Sequence, residues 1–287
     1  MSDDGLERST RELMGTTATV LLRPLVPDDP ADHLATAFAE LERVDRMVSR
    51  FLRTSAVQQL NAAGSGVVDE ELLELLQGAM RLRRETDGAF DPTIHDALAR
   101  GGRSGPSTSR WVPGDVRVDP VGRHVTLTPG TKLDLGAMVK GWAADRACSR
   151  IAAAGSVLVQ VGNDIATYVA PGHDPWPVGL PGRLPTLDVG TGAVGISSQG
   201  ERKWARSGAD GSDRRHVIDP RTGLPAQSDV RHAVTTGSRA ARCDAWATAA
   251  VVLGSDAAIV AATQAGIALL LERVDGSLAT NAERASS

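Results

Sequence analysis

Cysteine, aromatic side chains and long apolar runs are all scarce in this chain of 287 residues. The two cysteines, Cys148 and Cys243, form no CxxC pair and have no zinc-type spacing, which excludes a disulfide framework and a thiolate metal site. No run approaches the ~18 consecutive apolar residues of a membrane-crossing helix, so no integral membrane segment is expected. A basic surplus is missing too. Lys and Arg number 31 against 35 Asp and Glu, for a net charge of −4. A protein that neutralises nucleic-acid phosphates needs the opposite balance, so nucleic acid is not an expected partner. Met1 to Glu12 are polar and charged and lack the basic start and apolar run of a secretory signal, which makes a cytoplasmic location the expectation.

What is present is ordinary for a folded domain. Hydrophobic residues make up 41% and charged residues 23%, while aromatics at 3% leave Leu, Val and Ala to fill the core. The polar ends, Met1–Arg11 and Asn281–Ser287, are expected to be loose tails on one domain spanning 12–280, with a Gly-, Ser- and Pro-rich loop insertion at Gly101–Gly114. Helical spacing of apolar residues predicts helices over Asp29–Val48, Asp69–Arg84, Gly141–Ala153, Ala241–Leu253 and Asp256–Ala265. Strands are predicted over Thr16–Leu25, Val116–Val118, His124–Leu127, Lys132–Leu135, Val157–Val161, Thr186–Val189 and Ala193–Ser198. Strands cluster, with no strict strand–helix–strand repeat, so the fold class is α+β.

Four segments carry chemistry beyond packing. Thr86–Thr93 (TDGAFDPT) joins a Gly that permits a sharp turn to a flat Phe and a stiff Asp-Pro exit; its plainer reading is a capped helix end. Asp134–Asp145 (DLGAMVKGWAAD) places Gly136 at a junction into a helix with Lys140 on its first turns. Backbone N–H groups and a cation can meet a phosphate there, although neither standard nucleotide-loop pattern is present and a solvated lysine on a helix is the alternative. His216–Gly223 (HVIDPRTG) holds two titratable groups, His216 and Asp219, on a loop locked by Pro220; an Asp-Pro turn beside a structural histidine is the alternative. In Cys243–Ala249 (CDAWATA), Asp244 and Thr248 share a helix face, and their oxygen atoms suit a hard cation such as Mg²⁺; an ordinary N-terminal helix face is the plainer reading of that spacing.

In this order and at these separations, the segments resemble the ApbE family, the FAD:protein FMN transferases. The resemblance also takes in Met14-Gly15-Thr16, Ser49-Arg50-Phe51 with Ser55 and Asn61, VQVGND (Val159–Asp164) and ISSQG, covering about residues 12–255. It implies an α+β fold of mainly antiparallel strands with packed helices and an FAD cleft. It further implies Mg²⁺-dependent transfer of FMN from FAD to a threonine or serine hydroxyl of an acceptor flavoprotein bearing a D-x-x-[ST]-G-A-T-like motif, with release of AMP. Carried over by position, Met14, Phe51, Ala89, Phe90, Asp91, Asp134, Lys140 and Ile218 would contact FAD. Asp244, Thr248 and the carbonyl of Ala137 would hold the metal, and His216 and Asp219 would form the reactive-centre pair. The chain departs from the family pattern in three places: Asn163 stands in a GND where GGD is usual, Gln199 replaces part of a Thr-Ser-Gly run, and Phe51 stands where many members have tyrosine. The alternatives are FAD pyrophosphatase action, giving FMN and AMP, and a flavin-binding module without turnover. DVGTGAV (Asp188–Val194) loosely echoes the acceptor motif, with a plain strand–turn segment as its simpler reading.

Overall fold

The computed structural model describes residues 5–25, 29–99, 112–199 and 217–282. It opens with β1 (Glu7–Leu13) and β2 (Thr16–Pro24), joined at a two-residue turn in which Met14 has φ 54° and Gly15 φ 71°. Then come α1 (Pro30–Val48), α2 (Ala56–Ala63), β3 (Ser65–Val67), α3 (Glu70–Glu85) and α4 (His95–Ala99). The middle holds β4 (Val116–Asp119), β5 (His124–Leu127), α5 (Val139–Ile151), β6 (Gly155–Val161) and β7 (Asp164–Tyr168). Short strands β8 (Trp176–Val178) and β9 (Leu187–Val189) precede β10 (Gly192–Ser198), β11 (Ile218–Asp219), β12 (Leu224–Pro225) and β13 (Val230–Gly237). The chain finishes with α6 (Ala240–Leu253), α7 (Ser255–Ala265), β14 (Ala268–Arg273) and β15 (Leu278–Thr280).

The main sheet has eight strands in the order β1-β2-β6-β7-β10-β13-β14-β15, every neighbouring pair antiparallel. Its class is α+β, as the sequence implies. One face is covered by α1, α5 and α6, and their apolar sides merge with the sheet in a cluster of buried residues running from Ala18 to Leu271. The other face carries a smaller cluster, in which Leu158, Ile165, Val194 and Val234 pack beneath Trp176 and Val178 of β8. None of the helices among the described residues is long and apolar enough to cross a membrane.

Local chemistry accounts for the helix boundaries. Asp29 caps α1 by accepting from the N–H of Ala31, and Asp69 caps α3 by accepting from Leu72. Leu34, Phe38, Leu41, Val44 and Val48 form the buried stripe of α1. In contrast, α6 is apolar nearly all round because it is packed between the sheet, α5 and α7.

Several sequence expectations need correction. The N-terminal stretch read as a loose tail contains β1, paired along its whole length with β2; it is polar because it is an edge strand, where charge discourages further pairing. At the other end Asn281 is tied in, donating to the carbonyl of Ile267 and accepting from the N–H of Leu269. Lys132–Leu135 makes only one isolated bridge, Ile94 to Lys132. There the Asn61 side chain donates to Leu133 O and accepts from Leu133 N, replacing a neighbouring strand. The loop at Gly101–Gly114 lies outside the described residues up to 111.

Candidate active site

The first turn of α5, the start of β7 and the first turns of α6 converge on one point. There Lys140 Nζ donates to Asp164 Oδ2 at 2.5 Å, to Asp244 Oδ2 at 2.9 Å and to the Gly136 carbonyl at 3.3 Å. Asp164 is fully buried and Asp244 nearly so. Burial acts first on both charged partners of this group, but with opposite outcomes. It pushes the Asp164 carboxyl upward, reinforced by the charge of Asp244 and opposed by Lys140. For Lys140 burial favours the neutral amine, but the charges of Asp164 and Asp244 outweigh it and hold the ammonium. One ammonium balances one carboxylate, Asp164 is the partner pushed towards its neutral form, and its Oδ1 has no hydrogen-bond partner.

Glycines explain how α6 reaches this point. A Cβ on Gly141 of α5 would sit 2.4 Å from the backbone of Ala240, and one on Gly195 of β10 would sit 2.3 Å from the backbone of Cys243. Only a hydrogen fits at either position, so α6 can lie directly against helix and strand. Its N-terminus is capped from α5: Asp145 accepts from the N–H of Ala240 at 2.9 Å and of Ala241 at 3.2 Å.

A second group surrounds Asp134. Its carboxylate accepts from Arg50 Nη1 at 3.0 Å and from the Gly136 N–H at 2.8 Å, so the Ser-Arg-Phe segment is linked to the loop leading into α5. Phe51 beside it is 68% exposed, with the Arg50 guanidinium 4.9 Å from its ring centre. An exposed aromatic ring in a chain this poor in them is available for stacking.

Not every residue marked by the sequence faces an open site. Ala89 and Phe90 are buried in the core. Asp91 is buried as well: it accepts from the N–H and hydroxyl of Thr93 and pairs with Arg83 at 3.1 Å. The TDGAFDPT segment thus has the capped-helix-end geometry of its plainer reading, with Asp87 at φ 48° and Gly88 at φ 76°. Met14 packs partly buried against the core from its turn. Ile218 is buried in β11, and the Asp219 carboxylate is engaged by Arg221 through Nε at 2.9 Å and Nη2 at 2.8 Å. His216 lies outside the described residues. Thr248 is half-buried one turn beyond Asp244 on α6, and Ala137 is half-buried in the turn before α5. Thr191, in the segment that echoes an acceptor motif, is exposed and accepts from the Val169 N–H at 2.9 Å. Among the described residues no three His, Cys, Asp or Glu side chains cluster as metal ligands. Any cation here would need hydroxyl and carbonyl oxygens beside the carboxylates.

Asp164 and Asp145 were not singled out by residue chemistry. Asp164 ends the VGND segment, where an Asp after Asn reads as an ordinary turn residue. Asp145 ends the DLGAMVKGWAAD segment, and its partners lie 95 and 96 residues further on.

An antiparallel sheet with helices packed on one face and a buried lysine–carboxylate centre between them defines an α+β protein. The ApbE family model matches residues 14–271, and the chain belongs to the ApbE family. A FAD:protein FMN transferase of Treponema pallidum is 30% identical over 77% of this chain and 71% of its own length. The ApbE protein of Thermotoga maritima superposes with a TM-score of 0.82 at 26% identity, covering 96% of each chain. The apo flavinyl transferase ApbE of Pseudomonas stutzeri gives a TM-score of 0.83 at 23% identity, over 98% of this chain and 96% of that one. With these relatives, the chain is an enzyme.

Proposed function

We propose that this enzyme transfers FMN from FAD to a threonine or serine hydroxyl of an acceptor flavoprotein and releases AMP. The observation that carries the reading is the Lys140 ammonium, held by two buried carboxylates at the first turn of a helix. A pyrophosphate resists attack until its charge is offset; the Lys140 ammonium is already balanced by its carboxylates, so the offsetting charge would come from a divalent cation held beside this centre. Phe51 supplies a ring face for the flavin or the adenine, and Arg50 with Asp134 fixes the loop that presents it.

The residues present fit a hard divalent cation such as Mg²⁺. The donor set is all oxygen, and the buried Asp164 Oδ1 beside Asp244 lacks a partner. Asp244, Thr248 and the carbonyl of Ala137 would hold the ion. Its contribution when bound is charge neutralisation on the pyrophosphate. In the reaction the acceptor hydroxyl oxygen bonds to the FMN phosphorus, the bond from that phosphorus to the bridging oxygen breaks, and AMP leaves. The hydroxyl proton passes to the His216 imidazole, with Asp219 three residues further along the sequence. Loss of transfer in His216→Ala with FAD binding retained supports this role, and near-normal turnover contradicts it.

The direct test is turnover of FAD with Mg²⁺, with and without a domain carrying a D-x-x-T-G-A-T segment. AMP release that depends on the acceptor supports transfer. AMP release without acceptor makes the enzyme a pyrophosphatase, and FAD binding without AMP in either case makes it a flavin-binding module.

A further inference from the structure

We infer that Asp145 is a positioning residue: from α5 it grips the first turn of α6 and so holds Asp244 in place against Lys140. The inference rests on the flavin-transfer reading only for which reaction is affected.

The grip is geometric. Arg239, the N-cap residue of α6, makes no side-chain capping hydrogen bond, so the first N–H groups of the helix depend on Asp145, which takes two of them with its two oxygens. Lys140 and Asp145 sit five positions apart on one rigid helix, while Asp244 and Ala240 sit four apart on the other. Lys140 to Asp244 and Asp145 to Ala240 are therefore two parallel cross-links between α5 and α6, each spacing on the order of 6 to 8 Å along its helix. Between them Gly141 brings the backbones into contact, leaving no room for another register.

A carboxylate is a costly way to cap a helix in this position. Burial pushes the Asp145 carboxyl up to about 6, against the pull of the Ala240 and Ala241 N–H groups and of Arg239. A serine or threonine on α6 itself would satisfy an N–H without burying a charge. What a local cap cannot do is tie α6 to the helix that carries Lys140. The same kind of cap elsewhere provides a control: α7, which bears none of the proposed site residues, is capped from outside by Asp229, which accepts from the Ser255 N–H at 2.9 Å.

The test compares the full-length chain with Asp145→Asn, Asp145→Ala and Asp229→Ala. In Asp145→Asn and Asp145→Ala, kcat for AMP release with acceptor and Mg²⁺ should fall about tenfold or more while KM for FAD stays within about twofold, because a displaced group costs rate more than binding. Amides 241–244 should exchange hydrogen about tenfold faster in Asp145→Asn, with the last turn of α6 unchanged. Asp229→Ala should lower the melting temperature and leave kcat as it was. Unchanged exchange at 241–244 in Asp145→Asn, or a kcat within about twofold of the parent, overturns the inference. So does an equal kcat loss in Asp229→Ala. A parent chain that binds FAD but never releases AMP contradicts the transfer reading instead, and the exchange measurement still decides whether Asp145 holds α6.

Discussion

Lys140 is the residue on which the site's electrostatics turn. Replacing it with methionine leaves Asp164 and Asp244 side by side and buried, so one of them must bind a proton. A carboxyl whose folded pKa lies above its unfolded value stabilises the fold at low pH and loses that contribution as pH rises through the folded value. Lys140→Met should therefore lose more melting temperature than the parent as pH rises, because the carboxyl that burial already pushes upward loses its ammonium, and turnover should drop about a hundredfold or more. Differential scanning calorimetry across pH and an AMP assay check the two parts; a variant with flat pH dependence would show that the carboxylates are not coupled through Lys140. Lys140 and Asp244 were legible in the sequence because each sits in a segment whose residue types match phosphate and cation chemistry. Asp164 and Asp145 were not, because their roles come from partners tens of residues away. Asp91 shows the reverse case: a motif residue whose carboxylate is fully used by Thr93 and Arg83.

Among the elements, α6 depends on what lies beneath it. Gly195→Ala should cost about 1 to 3 kcal/mol, since a methyl group has to displace the backbone of Cys243 and Asp244, and turnover should fall with it. Gly190→Ala, where a Cβ meets nothing within 4 Å, is the control and should leave both unchanged. Urea denaturation beside the AMP assay separates the cases, and equal effects at the two glycines would contradict the packing argument. The same elements mark the limits of reading structure from sequence. Amphipathic α1 and α3 show their spacing plainly, and their predicted boundaries differ from the observed ones by a single residue. β13 and β14 carry no assignment in the sequence reading. Val230–Gly237 is buried on both sides of its middle, so the alternation that marks a half-exposed strand is missing, and Ala268–Arg273 closes the sheet beside it.

Across the whole molecule, a part-buried charge cluster centred on Glu40 ties three helices together. Glu40 of α1 is 5% exposed and accepts from Arg43 at 2.9 and 3.0 Å and from Arg146 of α5 at 2.7 Å, while Glu71 of α3 meets the same two arginines. The Arg43 hydrogen bonds, with help from Arg146 and against burial, hold the Glu40 carboxyl down to about 2. Its stabilising contribution is present above the ordinary carboxylate range and is lost as pH falls towards 2. Glu40→Gln should thus cost about 2 to 3 kcal/mol at neutral pH by chemical denaturation, after allowing for partial exposure of the arginines, and almost nothing near pH 2. An equal cost at both pH values would place the effect in packing instead of charge. We propose that the Lys140–Asp164–Asp244 centre moves FMN onto a protein hydroxyl. Intact-mass spectrometry of an acceptor domain, incubated with FAD, Mg²⁺ and either the parent chain or Asp244→Ala, tests that claim most directly. With the parent chain the acceptor should gain the mass of one FMN, and with the variant it should stay unmodified. An unmodified acceptor with both, or a modified one with both, would contradict it.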